Sequence, residues 1–356
     1  MLPDLPSAVS LLGWYDRHRR RLPWRCEPGE LPDPYRIWLS EIMLQQTTVT
    51  AVIPFYERFL ARFPTMDALA AAPDGDVLAA WAGLGYYARA RNLHACARQV
   101  VALGGFPATV EGLRALPGIG AYTAVAIAAI AFGVPGVPLD GNVERVVSRL
   151  FAITTPLPLG RHIIGAASTR WGEEPTPYAR PSDFAQALFD LGATVCTPAT
   201  PACGVCPLMA ECRGRIAGIA AELPHKALKK PRPCRHGAHF WLTDAQGQVL
   251  LRRRPPRGLL GGMTELPGTD WRAEPWTEAE AVAAAPAQAP WRKAGQAFHG
   301  LTHFELVIDV YAASVPVIAA PTLEAGGFLR PANALDGEAL PTVMRKCIRV
   351  ARDLAP

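Results

Sequence analysis

The stretch Leu116-Pro117-Gly118-Ile119-Gly120-Ala121-Tyr122-Thr123-Ala124 puts two glycines into a tight turn ahead of an apolar helix that runs on from Thr123 to Phe132. Backbone N–H groups left exposed at such a helix start can hold a phosphate. A bare G-x-G is also what an ordinary turn looks like. The Leu-Pro-Gly-Ile-Gly form set between two helices is more specific, a helix-hairpin-helix signature that holds nucleic-acid backbone without reading sequence. Gly118 and Gly120 are its candidate backbone contacts.

Outward from that hairpin, residues 7 to about 215 read as helices separated by Gly/Pro punctuation. One begins at Asp33-Pro34, an N-cap followed by proline at the first helical position, and carries Ile37, Glu41 and Leu44 on one face. Others are expected at Thr50 to Phe63, Asp76 to Ala82, Ala88 to Leu103, Val143 to Leu150 and Phe184 to Leu191. This half is all-α. Glu222 to Arg235, with Pro224, Lys226, Lys229, Lys230, Pro231, Arg232 and Pro233, cannot propagate a helix or central strand and reads as a basic interdomain linker. Beyond it the period changes. Phe304, Leu306, Ile308 and Val310 alternate as in a strand buried mainly on one face, and Phe240 to Leu242 with Val249 to Arg252 flank a hairpin turn at Asp244-Ala245-Gln246-Gly247. Ala281 to Pro290 reads as a surface loop and Pro341 to Leu354 as a closing helix, so the second domain is α+β. The expected division is 1–221 catalytic, 222–236 linker and 237–356 second domain.

A chain of 356 residues, half of them apolar, can fill two cores. Its 36 Lys and Arg against 31 Asp and Glu leave +5, with a pI near 8.8, which permits a nucleic-acid partner without demanding one. The run Arg17-His18-Arg19-Arg20-Arg21 reads as a solvated helix face or a phosphate contact. Met1 to Ser10 lacks a signal-peptide pattern and no run of 18 apolar residues occurs, so a soluble, cytoplasmic protein is expected. Eight cysteines in this length fit a reducing compartment, with Cys26, Cys96, Cys234 and Cys347 scattered and inert.

The other four, Cys196, Cys203, Cys206 and Cys212, stand at C-x6-C-x2-C-x5-C, four thiolates on one short loop. That spacing is a metal site, either an iron-sulphur cluster or a four-cysteine zinc knob; the usual zinc form has two C-x2-C pairs, and only one occurs here. Two carboxylates complete the chemistry. Asp140, before Gly141 at a helix start, is an N-cap or a functional acid. Glu41, flanked by apolar residues on a helix face, is exposed at an edge or held with a raised pKa for acid work. One acid that stays protonated and one that stays ionised make the pair needed to break a glycosidic bond.

The string Ser40-Glu41-Ile42-Met43-Leu44-Gln45-Gln46-Thr47, the Leu-Pro-Gly-Ile-Gly hairpin, Leu139 to Val143 and the cysteine quartet occur in the order found in the adenine DNA glycosylases, the MutY family, which the chain resembles over about residues 10–215. The second domain is similar to that family's Nudix-like domain through Gly258 to Met263 and Leu301-Thr302-His303, without the R-E-x-x-E-E core that pyrophosphate hydrolysis needs. The resemblance implies excision of adenine mispaired with 8-oxoguanine or guanine in duplex DNA by base flipping, a [4Fe-4S] cluster on the four cysteines and a monomer associated with the nucleoid. It makes Glu41 the acid at adenine N7 and Asp140 the carboxylate that stabilises the sugar cation, with Tyr122 and Asn142 in support. Tyr122 stands where bifunctional relatives resembling endonuclease III carry a lysine, so strand cleavage is expected to be weak. The same match makes Gln46, Leu84 and Tyr86 contacts beside the lesion, and maps Arg20, Trp24 and Asp190 to the adenine pocket, with Asp190 standing where glutamate is common. Leu301-Thr302-His303 replaces the family's Phe-Ser-His in the lesion-reading loop, keeping the hydroxyl and losing the aromatic wedge. The rivals are an endonuclease III-like glycosylase/lyase for oxidised pyrimidines and a non-catalytic cluster-bearing DNA-binding protein.

Overall fold

Short polar side chains start the helices where the sequence places them. Ser7 caps α1 (Ala8–His18), and Asp33 caps α2 (Pro34–Leu44), its carboxylate accepting from the Tyr35 N–H at 2.9 Å with Pro34 in the first turn. α3 (Val49–Arg62), α4 (Met66–Ala71), α5 (Asp74–Trp81), α6 (Ala88–Ala102), α7 (Val110–Arg114), α8 (Ala121–Phe132), α9 (Gly141–Leu150), α10 (Arg161–Gly172), α11 (Pro175–Ala179), α12 (Pro181–Thr194) and α13 (Arg213–Ile216) follow. The computed structural model describes residues 5–27, 29–226, 231–256, 258–324 and 326–353. Lys229 and Lys230 of the expected linker and Leu354 of the closing helix lie outside the described residues.

The chain forms two compact units, residues 1–71 with 95–229 and residues 72–94 with 230–356. In the first, α8 is apolar around its circumference and correspondingly inaccessible at Ala124 and Ala126 to Ile130. It packs against α2, α7 and α12. A second core joins Leu11, Leu12 and Tyr15 of α1 to Val143, Val146, Val147 and Leu150 of α9, Trp171 of α10, and Phe184, Leu188 and Leu191 of α12. These two cores fix the N-termini of α8 and α9, where the hairpin glycines and Asp140 lie.

By packing, residues 72–94 group with the second unit. Leu78 and Trp81 of α5 are buried there, and Arg91 donates from Nη1 to the Gly261 carbonyl at 2.5 Å. A Cβ on Gly262, whose φ is +74°, would meet Leu78 Cδ1 at 3.5 Å. That is long-range packing, which no local pattern in 72–94 announces.

The second unit is a six-stranded mixed sheet of β1 (Cys234–Asp244), β2 (Gln248–Arg253), β3 (Thr264–Glu265), β4 (Arg292–Gly300), β5 (Glu305–Val315) and β6 (Gly327–Pro331). The order is β3-β2-β1-β5-β4 with β6 also on β2; β1 and β5 run parallel, and the other pairs are antiparallel. Leu306, Ile308 and Val310 face α16 (Thr342–Arg352) through Val343, Met344, Cys347 and Ile348, as their alternation requires. Tyr311 is also buried, stacked on Phe240 on the opposite face at a centroid distance of 5.7 Å, so the strand is covered on both sides. The cover is α14 (Glu278–Ala283), which takes the first three residues of the loop expected at Ala281 to Pro290 and leaves 284–290 as loop: Thr277 and Glu280 form a capping box and Ala281 is inaccessible. α15 (Ala320–Glu324) precedes β6. The expected linker also ends early, because Cys234, Arg235 and His236 pair with β5. Among the described residues no helix is long and apolar enough to cross a membrane.

Candidate active site

Glu41 sits in the middle of α2 between buried neighbours and is itself 6% exposed. Burial favours its neutral form and lifts its pKa from 4.5 to about 7. The Tyr122 hydroxyl, at the start of α8, donates to Glu41 Oε2 at 2.8 Å and opposes part of that rise. The charge of Asp140 adds to it and that of Arg25 reduces it. Burial first, and then the same carboxylates, hold the Tyr122 phenol well above its ordinary value, so it stays protonated and keeps its proton to donate.

Asp140 caps α9. Its Oδ1 accepts from the Val143 N–H at 2.7 Å and its Oδ2 from Asn142 Nδ2 at 3.1 Å. Burial raises its pKa, while these hydrogen bonds and the charge of Arg145 pull it down. Asp140 is thus an N-cap, and the bonds that cap the helix also favour its anion. Arg145 continues the chain of contacts: it donates to Asn142 Oδ1 at 2.9 Å, to the Gly192 carbonyl at 2.7 Å and to the Cys196 carbonyl at 2.8 Å.

Glu41, Tyr122, Asp140 and Asn142 line one open cavity of about 820 Å³, together with Arg20, Trp24, Gln46, Gly118 and Gly120. Trp24 is buried edge-on to Tyr56 at a centroid distance of 5.2 Å. Gln46 is exposed with φ +60°, a left-handed conformation unusual outside glycine, at the exit of α2. Gly118 needs its glycine for φ +76°, and α8 starts at Gly120 without a capping side chain, leaving its first N–H groups for a ligand.

Asp190 corrects the expectation. It is inaccessible and does not line the cavity; both its oxygens are taken, by Arg20 (Nε to Oδ1, 2.5 Å; N–H to Oδ2, 3.0 Å) and by Arg25 in a bidentate pair at 2.7 and 2.8 Å. It anchors two arginines behind the pocket. The α12 residues that reach the cavity are Gln186, Phe189 and Ala193, one helical face that the sequence reading did not single out. The available signal was the i, i+3, i+7 spacing, which puts Asp190 about 100° away from Phe189.

The four cysteines line a second, much smaller cavity, of about 20 Å³, walled otherwise by residues such as Val146, Leu150, Leu191, Val195 and Met209. Among the described residues no three ligating side chains close tightly enough to hold a single metal ion. Four sulphurs around one apolar cavity suit a polynuclear cluster better than one zinc ion. Burial raises the Cys206 thiol to about 11 and raises Cys212 as well, so a cationic group is what would draw them into the thiolate form. Arg149, 1% exposed, donates to Cys196 Sγ at 3.3 Å and to the carbonyls of Thr197, Pro198 and Leu223.

In the second unit the Thr302 hydroxyl donates to the Tyr86 hydroxyl at 3.1 Å, and both residues and His303 are exposed. Leu301 packs at the edge of the sheet core, and Leu84, expected beside Tyr86 as a contact, is buried at 7% exposure, so of the two only Tyr86 is presented.

Residues 39–161 match the HhH-GPD superfamily of base excision DNA repair proteins and residues 238–350 the NUDIX domain. The fold, the hairpin and the carboxylate cavity define a helix-hairpin-helix base excision repair protein with a Nudix-like second domain. The chain is 34% identical over 412 residues to the adenine DNA glycosylase of Homo sapiens, covering 98% of this chain and 74% of that one. It is 43% identical over 219 residues to that of Mycolicibacterium smegmatis, covering 60% and 71%. The solved structure of a thermostable thymine-DNA glycosylase superposes with a TM-score of 0.51 at 26% identity, over 59% of this chain and 94% of that one. The chain belongs to the adenine DNA glycosylase family, hydrolases that act on N-glycosyl bonds in base excision repair.

Proposed function

We propose that the protein excises adenine paired with 8-oxoguanine, and with guanine, from duplex DNA, and that Glu41 and Asp140 divide the chemistry. Glu41, which burial keeps protonated up to about pH 7, delivers its proton to N7 of a flipped adenine, so the base departs uncharged as the C1′–N9 bond breaks. Asp140, its lone pairs oriented by Val143 and Asn142, faces the positive charge that develops on the sugar. Water adds at C1′, its released proton passing to the carboxylate left on Glu41, and leaves an abasic site. Tyr122 holds the Glu41 carboxyl and offers no amine, so the reading favours an intact abasic strand. Arg20, Trp24 and Gln186 would frame the base, and the hairpin N–H groups the backbone phosphates.

The observation that carries this reading is a buried Glu41, hydrogen-bonded by Tyr122 and raised by that burial to about 7, in a cavity it shares with a hydrogen-bonded Asp140. Cys196, Cys203, Cys206 and Cys212 would hold a [4Fe-4S] cluster, which when bound would tie the loop between α12 and α13 into one piece and supply the positive charge the buried thiolates need. The proposed working form is a monomer on nucleoid DNA in a reducing cytoplasm. The test is single-turnover excision from an oligonucleotide with one 8-oxoguanine:adenine pair. Adenine release with a strand that breaks only after alkali is expected; efficient borohydride trapping or no adenine release overturns the reading.

A further inference from the structure

The residues around Tyr86 form a device that the catalytic cavity does not use. Tyr86 has φ +50°, between Gly85 at +76° and buried Tyr87, and the residue is 47% exposed. An aromatic residue in the left-handed region is strained and persists only where its surroundings over-determine it. Those surroundings are specific. The Arg89 guanidinium carbon lies 5.4 Å from the Trp81 ring centre and 5.2 Å from the Tyr86 ring centre. Its Nη2 donates to the carbonyls of Leu84 and Gly85, each at 3.3 Å. Trp81 Nε1 also donates to the Gly85 carbonyl, at 3.1 Å, and the Gly83 N–H donates to the Tyr87 hydroxyl at 3.3 Å. The cation is thus desolvated among aromatic rings and backbone oxygens, and burial brings its pKa down to about 10.

We infer that Arg89 is a positioning residue for lesion discrimination, clamping the Gly83–Tyr86 turn so that the Tyr86 ring is presented beside the Thr302 hydroxyl. The inference rests on the reading of Tyr86 and Thr302 as lesion contacts. All the groups involved lie in the second unit, so the clamp acts on recognition and leaves the carboxylates alone. A planar guanidinium can lie over ring faces while its Nη2 donates to the Leu84 and Gly85 carbonyls, whereas lysine keeps the charge and donors but lacks the planar face.

The test is a double-mutant cycle on the full chain, measuring the ratio of dissociation constants for 8-oxoguanine:adenine and guanine:adenine duplexes carrying an uncleavable adenosine analogue at fixed salt. Arg89→Lys is expected to lower that preference about threefold to tenfold, the scale of a desolvated cation–π contact. In a Tyr86→Leu background the further change should be less than about twofold, because the residue through which Arg89 acts is gone. Single-turnover excision at saturating enzyme on guanine:adenine should stay within about twofold. An equal loss from Arg89→Lys in both backgrounds, or no loss in either while Tyr86→Leu itself lowers the preference, overturns the inference and leaves the reading of Tyr86 standing. A Tyr86→Leu variant with unchanged preference overturns that reading instead, and the inference with it. Should Arg89→Lys fold poorly, hydrogen–deuterium exchange of Arg89→Gln replaces it. Faster exchange confined to residues 83–87, with α16 unchanged, supports the clamp, and unchanged exchange there refutes it.

Discussion

The carboxylate cavity of the first unit and the Tyr86–Thr302 corner of the second solve opposite problems. Glu41 is buried, and removal from water turns an ordinary carboxyl into an acid that titrates near 7. Tyr86 and Thr302 are exposed, and their arrangement comes from a left-handed turn held by stacked side chains. Chemistry needs altered proton affinity, which burial supplies; reading a partner needs accessible donors and acceptors, which burial would remove. A substitution in the first region should therefore change rates and pH profiles, and one in the second should change selectivity.

The largest effect is expected from the carboxylates. Asp140→Asn and Glu41→Gln should each still bind a mismatched duplex yet release adenine at least about a hundredfold more slowly in single-turnover assays, in line with acid–base and electrostatic contributions. A near-normal rate in either variant removes that residue from the chemistry and erases the contrast.

Stability gives an independent view of the same burial. Unfolded Glu41 ionises above 4.5, whereas the folded state keeps its proton up to about 7, so its contribution to stability is complete below 4.5 and is lost as pH rises through 7. Glutamine has no charge to bury. Glu41→Gln should thus gain stability relative to the parent between pH 5 and 8, by up to roughly 3 kcal/mol in chemical denaturation. A difference that does not depend on pH would mean that Glu41 is not held neutral.

The pH profile sharpens the picture further. Excision should decline as pH rises through about 7, where free Glu41 loses its proton. The Tyr122 hydrogen bond favours the ionised carboxylate, so Tyr122→Phe should move that alkaline limb to higher pH while lowering the maximum rate. A limb that moves down would reverse the assigned sense of this bond.

The smallest effect belongs to the reading corner. Oxidation at C8 turns guanine N7 into an N–H donor, and a hydroxyl such as that of Thr302 can accept from it. Thr302→Val should lose about 1 kcal/mol of the preference for 8-oxoguanine over guanine, the scale of one neutral hydrogen bond, with the excision rate on guanine:adenine unchanged. An unchanged ratio of dissociation constants would move lesion reading away from this loop.

Local sequence determined what local physics governs. The caps at Asp33 and Asp140, the apolar run of α8, the glycine pair that opens it and the alternation of β5 are each written in fewer than twenty consecutive residues, and each forms as its composition requires. Glu41 was conspicuous as an acid among apolar neighbours, but its pKa depends on Tyr122, Asp140 and Arg25, brought together from three other segments. Tertiary structure alone decided that Asp190 spends both oxygens on Arg20 and Arg25, that Gln186 and Phe189 take the cavity wall, and that residues 72–94 join the sheet unit. Desolvation and the saturation of hydrogen-bonding groups are set by whatever surrounds a side chain in space, and a linear pattern carries no record of that environment until the chain has folded.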